Sequence, residues 1–154
     1  MCFIGGPDGV PHLAKGMLMP ITVTAATADA PAPEADIVVS MADFSFDIPE
    51  TLEAGEITIM AENHGDQPHE MMIVKLNDGA TVDEVLAFME TPPGSGGEQP
   101  FTEVGGVQAI GSHGAGVMTV NLEACDYVAI CFIPDPESGA PHFALGMIDE
   151  FTVQ

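Results

Sequence analysis

From residue 37 onward, short apolar stretches alternate with turns, and in several of them every second residue is apolar. Strict alternation is typical of half-buried β-strands, and short unbroken apolar runs fit strands that are buried on both faces. The pattern predicts strands at residues 37–41, 44–46, 56–61, 70–76, 117–122, 127–133 and 148–153. Closely spaced strands with turn signals between them favour an all-β, antiparallel Greek-key sandwich or barrel.

One segment departs from the strand pattern. Thr81 precedes it and Glu84 follows three residues later, which is the arrangement of a capping box at the start of a helix. The helix should span residues 82–90, because the run Thr-Pro-Pro-Gly-Ser-Gly-Gly at 91–97 would break it. The sequence therefore predicts an all-β fold with one short helix inserted.

The beginning of the chain repeats its end. Pro11–Met17 matches Pro141–Met147 in its proline, histidine, alanine, glycine and methionine, and the tripeptide Cys-Phe-Ile stands shortly before each stretch. The two copies lie almost a whole chain length apart. A repeat with so long a period indicates a duplicated domain rather than a solenoid unit. We therefore expect residues 1–23 to be the C-terminal hairpin of a preceding, truncated copy. Residues 24–36, rich in alanine and proline, are predicted to be a linker, and residues 37–154 a complete domain.

The chain of 154 residues is strongly acidic. It carries 24 aspartates and glutamates against two basic residues, which gives a net charge of -22. Such a surface repels phosphate backbones and anionic headgroups, so we expect no nucleic-acid partner and no membrane-surface partner. A cationic partner, a bound cation or a salt-rich habitat would each suit this charge. Residues 104–122 are the longest uncharged stretch, but their five glycines argue against a membrane span.

The cysteines bear on the candidate chemistry. Cys125 and Cys131 lie on one predicted strand, and six residues of strand separate them by about 20 Å. A disulfide needs a much shorter separation, so these two cysteines should not bridge each other. Cys131 is then either a small buried hydrophobic residue or a ligand, and Cys125 is predicted to be a free thiol.

Residues with soft and borderline donor atoms gather around the predicted last two strands. Cys131 ends one strand, and His142 and Met147 follow in the loop that returns to the last strand. His69 opens an earlier strand, directly after the segment Asn-His-Gly-Asp-Gln-Pro at 63–68. Thiolate, imidazole and thioether donors suit copper in both oxidation states. A trigonal set of the cysteine and two histidines, with the methionine as a weak axial ligand, would hold either state with little rearrangement.

These motifs resemble the cupredoxins, the blue-copper family. The Asn-x-Gly-x-x-Pro-His segment that ends at His69 is similar to the plastocyanin stretch carrying the first histidine ligand. Cys131, His142 and Met147 are similar to the rest of that site in type and order. Over residues 37–154 the resemblance implies a cupredoxin-like Greek-key fold that binds one type 1 copper ion through these four residues.

Two features depart from the family pattern. The loop between Cys131 and His142 has ten residues, more than in plastocyanin or azurin, and Glu70 stands where small cupredoxins usually carry an asparagine. Both concern the surroundings of the ligands, which tune the reduction potential. A metal-free interpretation also stays open, in which the cysteine and methionine fill the core and the histidines are hydrogen-bonded loop residues.

The sequence favours an electron carrier over an enzyme. Copper oxidases and nitrite reductases place histidines beside the type 1 cysteine, whereas Ile130 and Phe132 flank Cys131, and the chain has no His-x-His pair. The first hypothesis is therefore one-electron transfer without catalysis, although a longer parent protein could still be a multicopper enzyme. The alternative is a copper-binding or metal-free structural module of a secreted or envelope protein, without redox turnover.

We expect a redox partner to dock where an edge of His142 is exposed, and the acidic surface would steer a basic partner to it. The apolar residues that would form this docking patch are Pro141, Phe143, Ala144 and Leu145. Because blue-copper proteins generally work outside the cytoplasm, the resemblance implies a periplasmic, cell-surface or secreted protein whose signal sequence lies upstream.

The repeated segment at the beginning holds part of a second ligand set. Cys2, His12 and Met17 match three of the four predicted ligands, but the first histidine is lacking, so no proper copper centre is expected there. Residues 18–23 are predicted to form an orphan strand with unpaired edge groups. Such a strand could pair with a second copy of the chain and form a homodimer.

Overall fold

The computed structural model describes residues 5–22, 31, 33–91 and 97–154. Contacts between residues divide the chain into two units, Met1–Ala32 and Pro33–Gln154. The prediction for Cys2, and the part of the predicted linker at 24–30, lie outside the described residues. The interpretation of the chain as a truncated copy, a linker and a complete domain stays a prediction.

The larger unit consists of strands and one α-helix. In chain order its elements are β1 (Ile37–Ala42), β2 (Ser45–Asp47), β3 (Thr51–Leu52), β4 (Gly55–Asn63), β5 (His69–Leu76), α1 (Val82–Glu90), β6 (Phe101–Ile110), β7 (Ala115–Leu122), β8 (Cys125–Ile130) and β9 (Ile148–Val153). A 3-10 helix, His142–Leu145, precedes β9. Each predicted strand is present within a few residues of its predicted bounds, and β3 and β6 are additional.

The strands form two sheets, in the orders β2-β1-β4-β7 and β3-β9-β8-β5-β6. The predicted all-β sandwich is confirmed, and the two sheets do not close into one barrel within the described residues. Most strand pairs are antiparallel, as expected, but β1 runs parallel to β4 and β3 runs parallel to β9, so both sheets are mixed. Between β1 and β4 the chain returns through β2 and β3, and a connection of about a dozen residues is long enough for parallel pairing.

Apolar residues of both sheets meet in one core. Strand β8 explains why residues 127–133 form an unbroken apolar run. Tyr127 and Ala129 belong to this core, whereas Val128 and Ile130 point to a second apolar cluster that contains Val85 of α1. Because α1 and its neighbours cover the outer face of the sheet, β8 is buried on both faces, as parallel and central strands often are.

The helix α1 has the predicted bounds and the predicted cap. The Thr81 hydroxyl accepts a hydrogen bond from the Glu84 amide, and the Glu84 carboxylate accepts one from the Thr81 amide. The two bonds satisfy backbone donors that a helix start leaves free. Among the described residues, no helix is both long enough and apolar enough to cross a bilayer.

The repeat in sequence is also a repeat in local backbone structure. In the smaller unit the 3-10 helix His12–Lys15 ends at Gly16, whose φ is 97°. In the larger unit the 3-10 helix His142–Leu145 ends at Gly146, whose φ is 116°. In both places the chain leaves the helix through a left-handed conformation, which favours glycine. The same backbone conformation therefore explains why glycine occupies both matched positions.

The predicted orphan strand is not formed in the described residues 18–22. These residues pair with no strand, and Leu18, Met19 and Ile21 are exposed. Their counterpart β9 is a strand because it lies between β3 and β8, and a lone segment has no such neighbours. Dimerisation through this segment stays a prediction.

Candidate metal centre

The predicted ligands converge at one end of the β3-β9-β8-β5-β6 sheet. Strands β5 and β8 run antiparallel side by side, so the start of β5 lies beside the end of β8. His69 is the first residue of β5, and Cys131 directly follows β8. His142 opens the 3-10 helix and Met147 directly precedes β9, which is the other neighbour of β8. The topology therefore places two strand ends and one loop around a common point.

Three of the four predicted ligands offer their donor atoms to one point. The Nδ1 atoms of His69 and His142 are 3.1 Å apart, and the Cys131 Sγ is 3.4 Å from the His142 Nδ1. The ligand atoms of these residues all lie within 4.8 Å of one another, and all three residues are buried. Met147 is also buried, and its backbone hydrogen-bonds Cys131 and His142. The methionine therefore lies directly beside the His-Cys-His cluster.

The outer nitrogen of each histidine ring has its own partner. The His69 Nε2 lies 2.8 Å from an Asp43 carboxylate oxygen, and the His142 Nε2 lies 3.1 Å from the Gln67 side-chain oxygen. Because both partners are acceptors, each Nε2 carries a proton. The Nδ1 atoms of both rings therefore point into the cluster, toward each other and within 4.8 Å of the Cys131 sulfur. A donor set of two imidazoles and one sulfur fits a soft or borderline cation such as copper.

A buried carboxylate fixes the orientation of the Gln67 amide. Asp135 accepts a hydrogen bond from the Gln67 side-chain nitrogen at 2.9 Å, and two more from the Ser138 amide and hydroxyl at 2.7 and 2.6 Å. Since the amide nitrogen faces Asp135, the amide oxygen must face His142. Asp135 therefore controls the proton position on His142 through Gln67.

The Asn-x-Gly-x-x-Pro-His segment owes its shape to its asparagine. The buried Asn63 side chain accepts a hydrogen bond from the Gly65 amide at 2.9 Å. Its amide nitrogen donates to the backbone oxygens of Gln67 and Ile110, at 2.8 and 2.9 Å. These bonds tie the loop to β6 and hold Gln67 over the cluster. The asparagine is thus a structural support of the site and lies behind the donor atoms.

Glu70, the residue that departs from the family pattern, connects the two halves of the site. Its carboxylate accepts a hydrogen bond from the Phe132 amide at 3.2 Å, and its own amide points to the Cys131 sulfur at 3.5 Å. The first bond holds the loop after the cysteine, and the second places the partial positive charge of the amide hydrogen next to the sulfur. Glutamate therefore fastens the cysteine loop at this position.

Burial and the neighbouring groups move the pKa values at the site. Burial raises the pKa of the Cys131 thiol, and amide hydrogen bonds from Glu70 and Ile133 offset this in part. Burial, and then the nearby His69, lower the pKa of His142, so this ring is neutral. Burial tends to raise the pKa of Asp43, but the hydrogen bonds from His69 and from two backbone amides outweigh it and lower the pKa overall. A bound cation would displace the thiol proton.

Asp135 leads to a prediction about acid stability. Hydrogen bonds from the Ser138 side chain and then from Gln67 lower the pKa of Asp135 from 3.8 to about 2. A carboxylate whose pKa is lower in the folded state stabilises the fold above its unfolded pKa, and this stabilisation is lost as the pH falls toward 2. We expect Asp135→Asn to lower the free energy of unfolding of the metal-free protein at neutral pH, with the deficit shrinking between about pH 4 and pH 2.

Denaturant unfolding at several pH values measures this deficit. The matched control is Glu137→Gln, which removes a charge from an exposed side chain of the same loop. A deficit of Asp135→Asn that is constant from neutral pH to pH 2 would show that the carboxylate charge contributes nothing.

His142 is not exposed, which corrects the expectation of an exposed imidazole edge. Its relative exposure is 0%, because Gln67 covers the Nε2 and the Phe44 ring packs edge-on against the imidazole at a centroid distance of 5.0 Å. Of the predicted docking patch, Ala144 and Leu145 are exposed, and the other two residues are partly buried. An apolar surface beside the site therefore exists, but the histidine lies beneath it.

Sequence reasoning missed the residues that hold the histidines from outside. Asp43 lies in the turn between β1 and β2, Gln67 occupies a variable position of the Asn-x-Gly-x-x-Pro-His segment, and Asp135 follows β8 by five residues. None of them stands at a spacing that marks a ligand. Only the meeting of separate loops in the folded chain reveals their role.

Comparison with known proteins identifies the fold. No protein-family model matches the sequence, and no curated protein matches it either. Among solved structures, dithionite-reduced auracyanin from the photosynthetic bacterium Roseiflexus castenholzii is 25% identical with a TM-score of 0.52, and the match covers 77% of this chain and 95% of the auracyanin.

Two further structures match less well in shape. An azurin from the methylotroph Methylomonas sp. strain J is 16% identical with a TM-score of 0.48, covering 76% of this chain and 95% of that one. Auracyanin A, a "blue" copper protein from Chloroflexus aurantiacus, is 17% identical with a TM-score of 0.45, covering 76% and 99%.

The larger unit is thus a two-sheet β sandwich with a buried His-Cys-His cluster at one end, and these three residues could hold a metal ion. The particular fold is that of the cupredoxins, as the resemblance in sequence implied.

Proposed function

We propose that the larger unit binds one type 1 copper ion and transfers single electrons. His69, Cys131 and His142 would hold the ion in a trigonal arrangement, with Met147 as the weak axial ligand. The observation that carries this proposal is the convergence of two imidazole nitrogens and one thiol sulfur within 4.8 Å, all buried, at one end of a cupredoxin fold. Copper would supply the one-electron Cu(II)/Cu(I) couple.

The chain's own contribution is a rigid and dry donor set. His69 and Cys131 lie at the ends of two hydrogen-bonded strands, and the backbone of Met147 bonds to the other two ligand residues. Ligands fixed in this way need little rearrangement when the charge of a bound ion changes by one. Full burial keeps water from the donor atoms. Both properties favour electron transfer over catalysis on a bound substrate.

The proposal extends to partner and compartment. The net charge of -22 supports a basic redox partner, because opposite charges speed encounter. The exposed Ala144 and Leu145 offer this partner an apolar contact near His142. We also propose that the protein works outside the cytoplasm, as a periplasmic, cell-surface or secreted protein, on the strength of its cupredoxin fold.

A metal-free structural role is the second candidate, and one observation favours it. Among the described residues, every buried side-chain nitrogen or oxygen has a hydrogen-bond partner without any ion. In the cluster, Asp43 and Gln67 bond the outer ring nitrogens, and the Cys131 sulfur lies 3.4 Å from the His142 Nδ1. A stable cluster can therefore form without metal.

Titration of the metal-free protein with Cu(II) distinguishes the two candidates. Electron transfer requires an intense blue absorption that saturates at one equivalent of Cu(II), bleaches on reduction and returns on reoxidation. Binding of Cu(II) without this absorption, or no binding by a folded protein, would contradict the type 1 site and support the structural role. Circular dichroism before and after titration verifies that the protein is folded.

A further inference from the structure

The turn between β1 and β2 contacts both histidines of the cluster from outside. An Asp43 carboxylate oxygen lies 2.8 Å from the His69 Nε2. The next residue, Phe44, packs its ring edge-on against His142, with an interplanar angle of 70°. Two adjacent residues of one turn thus hold one ring each, although the strands of this turn belong to the other sheet.

The turn is itself held in place. The backbone amides of Asp66 and Gln67 each donate to the Asp43 carboxylate at 3.2 Å. Phe44 has a φ of 66°, a left-handed conformation that bulky residues avoid. Such backbone strain persists only where the surroundings fix it, and it is common near functional sites. The position of Asp43 is therefore determined by several contacts besides the one to His69.

A glycine makes room for the contact between the carboxylate and the ring. A Cβ atom on Gly65 would lie 2.7 Å from the His69 Nε2, and still closer to the Asp43 carboxylate oxygen. Both distances are shorter than side-chain carbon atoms tolerate. Any side chain at this position would thus push the turn and the histidine apart, and glycine is the residue that lets them meet.

We propose that Asp43 is a positioning residue of this site, which holds His69 with its proton on Nε2 and its Nδ1 aimed at the ion. A carboxylate bonded to the outer nitrogen of a ligating histidine fixes the ring and makes it a stronger donor. Its negative charge also favours the more positive oxidation state of a bound ion. The second effect rests on the proposed copper function, whereas the first is a property of the metal-free chain.

The metal-free protein provides the direct test of positioning. Long-range ¹H–¹⁵N NMR of the imidazoles reports which nitrogen of His69 carries the proton. We expect the Nε2–H form in the wild type and in Asp43→Asn, which keeps an acceptor oxygen, and a mixture of both forms in Asp43→Ala. Gly65→Ala, which separates the same two groups sterically without removing charge, should behave like Asp43→Ala. The matched control Asp66→Asn, an exposed acid of the neighbouring loop, should behave like the wild type.

Metal binding provides the second readout. With Zn²⁺ as a redox-inert probe, Asp43→Ala should weaken binding by about 10- to 100-fold, the usual effect of removing the partner of a ligating histidine. Asp66→Asn should change binding by less than about twofold, because it removes only an exposed charge. In the copper-loaded protein, Asp43→Asn should raise the reduction potential more than Asp66→Asn does.

The outcomes separate the two proposals. An unchanged Nε2–H form of His69 in both Asp43→Ala and Gly65→Ala overturns the positioning role, whatever the metal does. Mixed protonation of His69 in these two variants supports the positioning role. If the wild type then fails to bind Cu(II) as a blue site, the positioning role stays intact and the proposed function is overturned. Equal Zn²⁺ affinity of Asp43→Ala and Asp66→Asn also counts against the positioning role.

Discussion

Replacing Cys131 by serine is expected to abolish the blue absorption of the copper-loaded protein completely. The thiolate is the only anionic donor among the predicted ligands, and the absorption of a blue-copper site arises from its bond to Cu(II). A serine hydroxyl is a hard donor that stays protonated and offers Cu(II) no equivalent bond. Because serine is close to cysteine in size, the metal-free fold should survive the substitution.

The chain offers a matched control for this substitution. Cys125 is also a free thiol, but it begins β8 whereas Cys131 follows the end of that strand. Its sulfur faces the Leu76 backbone oxygen at 3.5 Å, away from the histidines. Cys125→Ser should therefore keep the full absorption. Retention of the blue band in Cys131→Ser, or its loss in Cys125→Ser, would contradict the proposal that Cys131 is the sulfur ligand.

The sequence predicted elements well where one local signal dominates. The helix at 82–90 has the predicted bounds because Thr81 and Glu84 form the cap that the sequence indicates. Strand β6 was missed because Gly105 and Gly106 interrupt its apolar pattern. A Cβ on Gly106 would lie 2.6 Å from the Met71 backbone oxygen, so this glycine reflects close approach of β5 and β6. Such packing cannot be inferred from one strand alone.

The candidate site was also predicted only in the part that a local signal determines. His69, Cys131 and His142 were predicted because their types and spacing match known chemistry, and the fold brings these three together. The burial of His142 was not predicted, because it depends on Phe44 and Gln67, which come from distant loops. Donor atoms follow from residue type and spacing, whereas the groups that orient them follow from tertiary contacts between segments that carry no motif.

Phe151→Ala is expected to cause the largest loss of stability, about 3–5 kcal/mol in the free energy of unfolding of the metal-free protein. Phe151 is 1% exposed, lies in the middle of β9 and stacks on Tyr127 at a centroid distance of 5.4 Å. The substitution removes a whole ring from the core and leaves a cavity that the strands on either side, β3 and β8, cannot fill. Natural domains are stable by only about 5–15 kcal/mol, so the variant should be close to unfolding.

Denaturant unfolding of the metal-free protein measures this loss without a contribution from bound copper, which would add stability of its own. The control is Val38→Ala on β1, where the side chain is 50% exposed and the change should stay within about 0.5 kcal/mol. Phe151→Leu, which keeps most of the apolar volume, should fall between the two because its cavity is smaller. A loss for Phe151→Ala no larger than that for Val38→Ala would mean that β9 does not pack against β8 as described. The geometry that brings Met147 beside Cys131 would then be wrong as well, since Met147 directly precedes β9 and Cys131 directly follows β8.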